Sequence, residues 1–416
     1  MIRMKSIDDF DYESKTVLLR VDINSPIDPD TRKIVNENRI QKSLPTIRKL
    51  LNKNAKLAII AHQGDTLDYQ NLISLEEHAG KLSSYLNEDV VYIDDVAGPA
   101  AQDRVRNLQP GQAALLGNLR YLSEEISTFE NAVKLEPNEM LDTYLVRGLA
   151  PLIDFYVNDA FAAAHRNAPS MVAFQEIKPT AAGDLLFDEV SALSKVMLDP
   201  EHPSVFVLGG AKISDAFGMM KQVLESGTAD KIVTCGVTGE VFLMAKGYRL
   251  GSKKEKFLAD RNLDVFVNDA KSYLGDFADR IELPVDLAYG KDGERREIEI
   301  KDLPIDEMFM DIGKNTIANY EQAIAGARTL FVNGPAGVYE EPIFSNGTAA
   351  IWNAVASSDG YSVIGGGDTV TAATRFVNLN QVDYVCTAGG AMVRYLSGKK
   401  LPLIMAMEKA YERDAA

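Results

Sequence analysis

The chain has 416 residues, of which 46% are apolar and 25% charged, and it carries a net charge of −16. The length exceeds one ordinary core and predicts two domains, and the balance is that of a soluble globular protein. Such an acidic surface argues against nucleic acid or an anionic membrane as partner, so any anionic substrate needs a locally basic cleft. The opening "MIRMKSIDDFDYESK" is charged where a signal peptide is apolar, and no apolar run approaches the roughly 20 residues of a membrane span. A cytoplasmic protein without a nucleic-acid or membrane partner is therefore expected; a monomer is expected too, although nothing in the sequence fixes the oligomeric state.

In chain order, "TVLLRVDI", "KLAIIAH", "DVVYID", "QAALLG" and "DFYVNDA" read as strands. "RIQKSLPTIRKLLNK" and "SLEEHAGKLSSYLN" between them space apolar residues as helices do. "GDLLFDEVSALSKVMLDPEHP" (183–203) reads as a helix stopped near Pro200, and joins the two halves. The second half repeats the alternation with "SVFVLGG", "KIVTCG", "TLFVNGP", "YSVIGGG" and "DYVCTAGG". Strands alternating with helices imply α/β architecture with parallel sheets covered on both faces and ligands at the strands' carboxyl ends. The expected boundaries are 1–182 for the first domain, 183–199 for the connecting helix, 200–395 for the second domain and 396–416 for a returning tail.

The two halves end their strands differently. The first ends in polar and basic residues: Asp22 and Asn24, His62, Arg120, Asn158 and Asp159, then His165 and Arg166. Asp22 and Asn24 share a face by strand alternation, and Arg39 falls at a helix start, where a cation opposes the dipole. Arg120 and Arg166 sit in loops suited to bidentate anion recognition. The second half ends in glycine: Gly209 and Gly210, Gly236, Gly334, Gly365 to Gly367, and Gly389 with Gly390. "GGAKISD" (209–215) brings Lys212 to a helix start where backbone amides can approach phosphate, although a tight turn with a surface lysine looks the same. "IGGGDT" (364–369) places Asp368 and Thr369 at a similar turn, suited to magnesium beside phosphates or simply to a helix cap. "FVNGPAGVYEEP" (331–342) can shape a nucleotide pocket, with Glu340 accepting from ribose hydroxyls. Cys235, Cys386, Trp352 and the Met-rich tail read as core.

Taken together, "RVDIN-P", "NRI", "NLRY-SEE", "YVNDAFAAAHR", "LGGAK", "MDIG-NT", "VNGPAGVYE", "GTAAI", "VIGGGDT" and "TAGGA" resemble one family, phosphoglycerate kinase, from about Val17 to about Ala406. Stretches such as "LESGTADKIVTCGVTGEVFLMAKGY" resemble its archaeal branch. The resemblance implies two Rossmann-like domains joined by a hinge helix, closing to expel water, with the tail packed on the first domain. It implies reversible phosphoryl transfer between ATP and 3-phosphoglycerate, giving ADP and 1,3-bisphosphoglycerate, with Mg2+. Asp22, Asn24, Arg39, His62, Arg120 and Arg166 match its phosphoglycerate positions, and Lys212 and Arg39 its catalytic ones. Gly209, Gly210, Lys212, Gly236, Asn333, Gly337, Val338 and Glu340 match nucleotide positions, as do Gly365, Gly366, Gly367, Asp368 and Thr369. Asp368 matches the metal ligand.

Two places depart from the pattern. In "HQGDTLDYQ", Asp65 stands where the family usually carries an arginine; Gln63, Thr66 and Tyr69 are candidate neutral replacements. Ala216 stands where bacterial and eukaryotic members carry a second lysine. The first departure keeps open a kinase for another small carboxylate, or a nucleotide-binding protein without catalysis. An NAD-dependent oxidoreductase is disfavoured, because no G-x-G-x-x-G follows the first strand.

Overall fold

The computed structural model describes residues 3–64 and 71–415. The chain divides into two compact units, Met1–Ser191 with Lys400–Ala416, and Ala192–Lys399. The helix Asp184–Leu198 carries the chain from the first into the second.

The first unit is built on six parallel strands: β1 (Thr16–Val21), β2 (Lys56–Ile60), β3 (Val90–Tyr92), β4 (Ala113–Leu115), β5 (Phe155–Asp159) and β6 (Thr180–Ala182). Their order is β3-β4-β2-β1-β5-β6, so the winding reverses between β1 and β5. Val17, Leu19 and Val21 point into one core with Ile40, Leu44 and Ile47 of the helix Asn38–Asn52, whose apolar residues recur at helical spacing. The next residue along β1 alternates to the other face, and there sits Arg20, only 3% exposed. The terminal helix Pro402–Ala415 belongs to this unit: Leu403 N donates to Ala164 O (3.1 Å), and Lys409 pairs with Glu176 (2.7 Å). Met407 there is buried, but Met405 is about half exposed, contrary to a wholly internal tail.

The second unit holds β7 (Ser204–Leu208), β8 (Lys231–Thr234), β9 (Ile281–Glu282), β10 (Asp286–Lys291), β11 (Glu294–Glu299), β12 (Phe309–Ile312), β13 (Thr329–Asn333), β14 (Tyr361–Ile364) and β15 (Tyr384–Val385). Six of them form a parallel sheet, β15-β14-β13-β7-β8-β9, reversing between β7 and β13. A separate antiparallel sheet, β11-β10-β12, adds to the parallel architecture expected from sequence. Cys235 and Cys386 are buried, and burial pushes the Cys235 thiol up to about 12. Trp352 is likewise in the core. Among the described residues, no helix is long and apolar enough to cross a membrane.

Candidate active site

At the reversal in the first sheet, neighbouring chains leave in opposite directions and open a crevice beyond the carboxyl ends of β1, β2 and β5. A cleft of about 280 Å³ lies here, lined by Asp22, Asn24, Arg39, His62, Arg120 and Arg166, with His165 and Ser127 beside them. All six residues expected for the anion are thus brought together. Asp22 is past the end of β1 and buried, and its Oδ2 accepts from Arg39 Nη1 at 2.7 Å. Asn24 Oδ1 accepts from Gly64 N (3.0 Å). Arg166 is held by Glu130 (Nε to Oε2, 2.6 Å), and Arg120 donates to the backbone oxygens of Gly64 and Glu125.

His62 is buried among cations. Burial first, and then Arg20, Arg120, Arg166 and Arg39, hold it well below the usual histidine value, so it is neutral at pH 7. Arg20 Nη2 lies 2.8 Å from His62 Nδ1. A guanidinium can only donate, so Nδ1 is the acceptor and the ring proton resides on Nε2. Arg20 was not singled out from sequence, because it lies inside an apolar strand. An arginine in such a run was the available signal. Glu125, 2% exposed, was missed as well; its carboxylate accepts from Ser170 N (2.6 Å) and Oγ (2.7 Å), and burial pushes its carboxyl up. The cleft is the locally basic place that an acidic chain needs to take an anion.

Asp65, Thr66 and Tyr69 lie outside the described residues. Gln63 is described, and its amide is already committed: Oε1 accepts from Ser25 N (2.8 Å) and Nε2 donates to Ser25 O (2.9 Å). It is fully buried, which removes it as a replacement donor for a substrate.

The second cleft is made of backbone. At the reversal between β7 and β13, Gly209 N donates to Asn333 O (2.9 Å) and Gly210 N to Pro335 O (2.8 Å). The loops approach so closely that a Cβ on Gly334 would stand 2.2 Å from Gly209 O, at a φ of +91° that favours glycine. Asn333 Nδ2 reaches Gly365 O (2.7 Å), and Thr369 Oγ1 accepts from Gly334 N (2.8 Å), which ties the third glycine turn to the other two. The three glycines of 365–367 have different reasons. Gly365 is packed against Met392 and does not line the cleft, Gly366 has a φ of +97°, and Gly367 faces open space at the start of the helix Gly367–Phe376.

Three charged residues line this cradle, Lys212, Asp215 and Asp368. Lys212 precedes the helix Ile213–Glu225, and its Nζ lies 3.3 Å from Asp368 Oδ2, with the two side chains 71% and 69% exposed. That pair is available to a ligand. Asp368 stands in the helix's first turn, two residues past the N-cap, which is Gly366, so it is not itself the cap. Among the described residues no group of three or more His, Cys, Asp or Glu could hold a metal. A single open carboxylate beside an anion cradle fits a hard cation that takes its other oxygens from phosphate and water. Ala216 is fully buried on its helix and faces the core.

A larger pocket, about 650 Å³, continues from the cradle. Gly236, Gly337, Val338 and Glu340 line it, with the apolar Phe257, Leu287 and Phe309. Asp311 ties the end of β12 to the helix Asn346–Ala356, accepting from Gly347 N (2.9 Å) and Arg295 Nη1 (2.8 Å); burial nonetheless pushes it up to about 6. In the wall Glu240 and Lys254 form an ion pair at 2.7 Å, which sequence reading did not anticipate, since the partners come from different helices.

Known proteins share the sequence and the fold of this chain. The family model described as phosphoglycerate kinase matches residues 7–399. The phosphoglycerate kinase of Methanothermus fervidus is 41% identical over 414 residues, covering 100% of this chain and 99% of its own. That of Thermococcus kodakarensis is 40% identical, covering 99% and 98%. The crystal structure of phosphoglycerate kinase from Pyrococcus horikoshii superposes with a TM-score of 0.84 at 37% identity, covering 99% of this chain and 100% of that one.

Proposed function

The chain belongs to the phosphoglycerate kinase family, and from that premise we propose how its two clefts divide the work of moving a phosphoryl group between ATP and 3-phosphoglycerate. The observation that carries the reading is the contrast between a cleft of arginines around a neutral histidine and a glycine cradle holding Lys212 and Asp368. The first suits a small substrate with a phosphate and a carboxylate, which guanidinium groups bind bidentately. His62 adds a neutral Nε2–H donor. The second suits the phosphates of ATP or ADP, which backbone amides can approach at the helix start. This acceptor is favoured over another small carboxylate, and catalysis over mere nucleotide binding, by the name the relatives share.

The substrate's carboxylate is already ionised, so no general base is needed. One of its oxygens bonds to the γ-phosphorus as the bridging bond to ADP breaks, and the electron pair leaves with ADP. The need is for positive charge around the transferred group. Lys212, paired with Asp368, would supply it at the nucleotide, and Arg39 would supply it at the phosphoglycerate. Asp22 positions Arg39. Asp368 would hold magnesium, which would supply further neutralisation of phosphate charge. Glu340, exposed at the pocket, accepts from ribose hydroxyls.

The test is ADP formation from MgATP with and without 3-phosphoglycerate, in wild type and Lys212→Ala. Turnover that requires 3-phosphoglycerate and falls about 100- to 1000-fold in kcat in the variant is expected. Since Lys212 is mostly exposed, the variant should melt as wild type does. A Lys212→Ala enzyme that keeps its kcat would remove Lys212 from the mechanism.

A further inference from the structure

The pocket of the second unit has a wall that costs more than stability requires. Glu240 and Lys254 meet at 2.7 Å with both side chains almost wholly out of solvent. Removing two charges from water often costs more than their attraction returns, and well-packed apolar residues would hold the wall as well or better. Lys254 is fully engaged: Nζ also donates to Phe309 O (3.0 Å) and lies 4.9 Å from the centroid of the Phe257 ring. Glu240 is not. Its Oε2 is buried without a hydrogen-bond partner among the described residues, although the residue lines the pocket. An acceptor left in that state is unfavourable until a donor reaches it.

The placement of the pair suggests the donor. The pocket shares Gly210, Ala211, Pro335 and Asp368 with the glycine cradle, which marks its phosphate end. Glu240, Lys254, Phe257 and Leu287 line the pocket but not the cradle. Away from its phosphates, a nucleotide presents a base with an apolar face and a polar edge. We propose that Glu240 reads that edge: its free Oε2 accepts a hydrogen bond from the exocyclic amino group of adenine, and Lys254 is the positioning residue that holds the carboxylate in place. The pair is then a specificity-determining element of the nucleotide site, and the inference rests on the nucleotide reading of this pocket.

The experiment compares kcat/KM for ATP and for purine riboside triphosphate, which lacks only the 6-amino group, with 3-phosphoglycerate saturating. Wild type is expected to prefer ATP by about 10- to 100-fold, the worth of one hydrogen bond to a charged group. Replacing the pair by Glu240→Met with Lys254→Met should bring the two nucleotides within about 2-fold, whereas Glu240→Gln, which keeps an acceptor oxygen, should retain part of the preference. Equal use of the two nucleotides by wild type overturns the proposal without any variant, and so does a preference that survives in the double variant. Val338→Arg, at the pocket's rim, separates the two levels of the argument. A large rise in its KM for ATP keeps the nucleotide pocket even where base reading fails; an unchanged KM removes the pocket and the proposal together.

Discussion

In the function proposed for them, the two clefts would solve anion binding in opposite ways. In the first unit the anion site is made of side chains, and each is braced: Arg39 by Asp22, Arg166 by Glu130, His62 by Arg20. In the second it is made largely of main chain, with glycine loops laced to one another and the exposed pair Lys212 and Asp368 beside Asp215. The difference follows from what each must hold. A small acid with two anionic ends gives few atoms to grip, so directional guanidinium bonds are worth their bracing. A chain of phosphates is long and evenly charged, so amides, a helix start and a bound cation serve. It also teaches where each site is fragile: charge substitutions should damage the first, and added side-chain bulk the second.

The sharpest way to break that comparison is at the glycines. Gly334→Ala brings a Cβ against Gly209 O at a left-handed φ, and is expected to destabilise the fold by about 2 kcal/mol or more. Gly367→Ala meets nothing within 4 Å, so stability should stay within about 0.5 kcal/mol while KM for ATP rises. Thermal melts and steady-state kinetics on the two variants distinguish these effects. Equal stability losses would mean that Gly367, too, is there for packing.

The next effect is one of pH. Because His62 is held well below the ordinary value, it stays neutral, and KM for 3-phosphoglycerate should show no inflection near pH 6.5. Below the unfolded value of about 6.5 the unfolded chain binds a proton that the folded chain refuses, so this group's contribution to stability is lost as pH falls. His62→Gln should flatten that part of the acid slope in melts between pH 7 and 5. An unchanged slope would mean that burial and the arginines do not act on His62 as described.

Much of both clefts was legible because strand-ending residues reveal themselves locally. Arg120, His62 and Arg166 follow apolar runs, and the glycine turns precede small-residue helices. What escaped depends on long-range packing. Arg20 reads as one more strand residue until the fold places it against His62. Glu240 and Lys254 lie on different helices, and nothing local announces that they meet. The strand β11, "ERREIE", is too polar to read as part of a sheet, and it pairs only because β10 folds beside it. Glycine was over-read in one respect: Gly209, Gly334 and Gly365 are demanded by close contacts within the protein, Gly365 by the helical Met392, as much as by any phosphate.

The division of labour is tested most directly by calorimetric titration of wild type and Arg39→Met, with 3-phosphoglycerate and MgATP added in separate experiments. Loss of one charge-assisted contact should weaken 3-phosphoglycerate about 10- to 100-fold while leaving the Kd for MgATP within about 2-fold. An Arg39→Met protein that binds 3-phosphoglycerate as wild type does, or that loses both ligands alike, would contradict it.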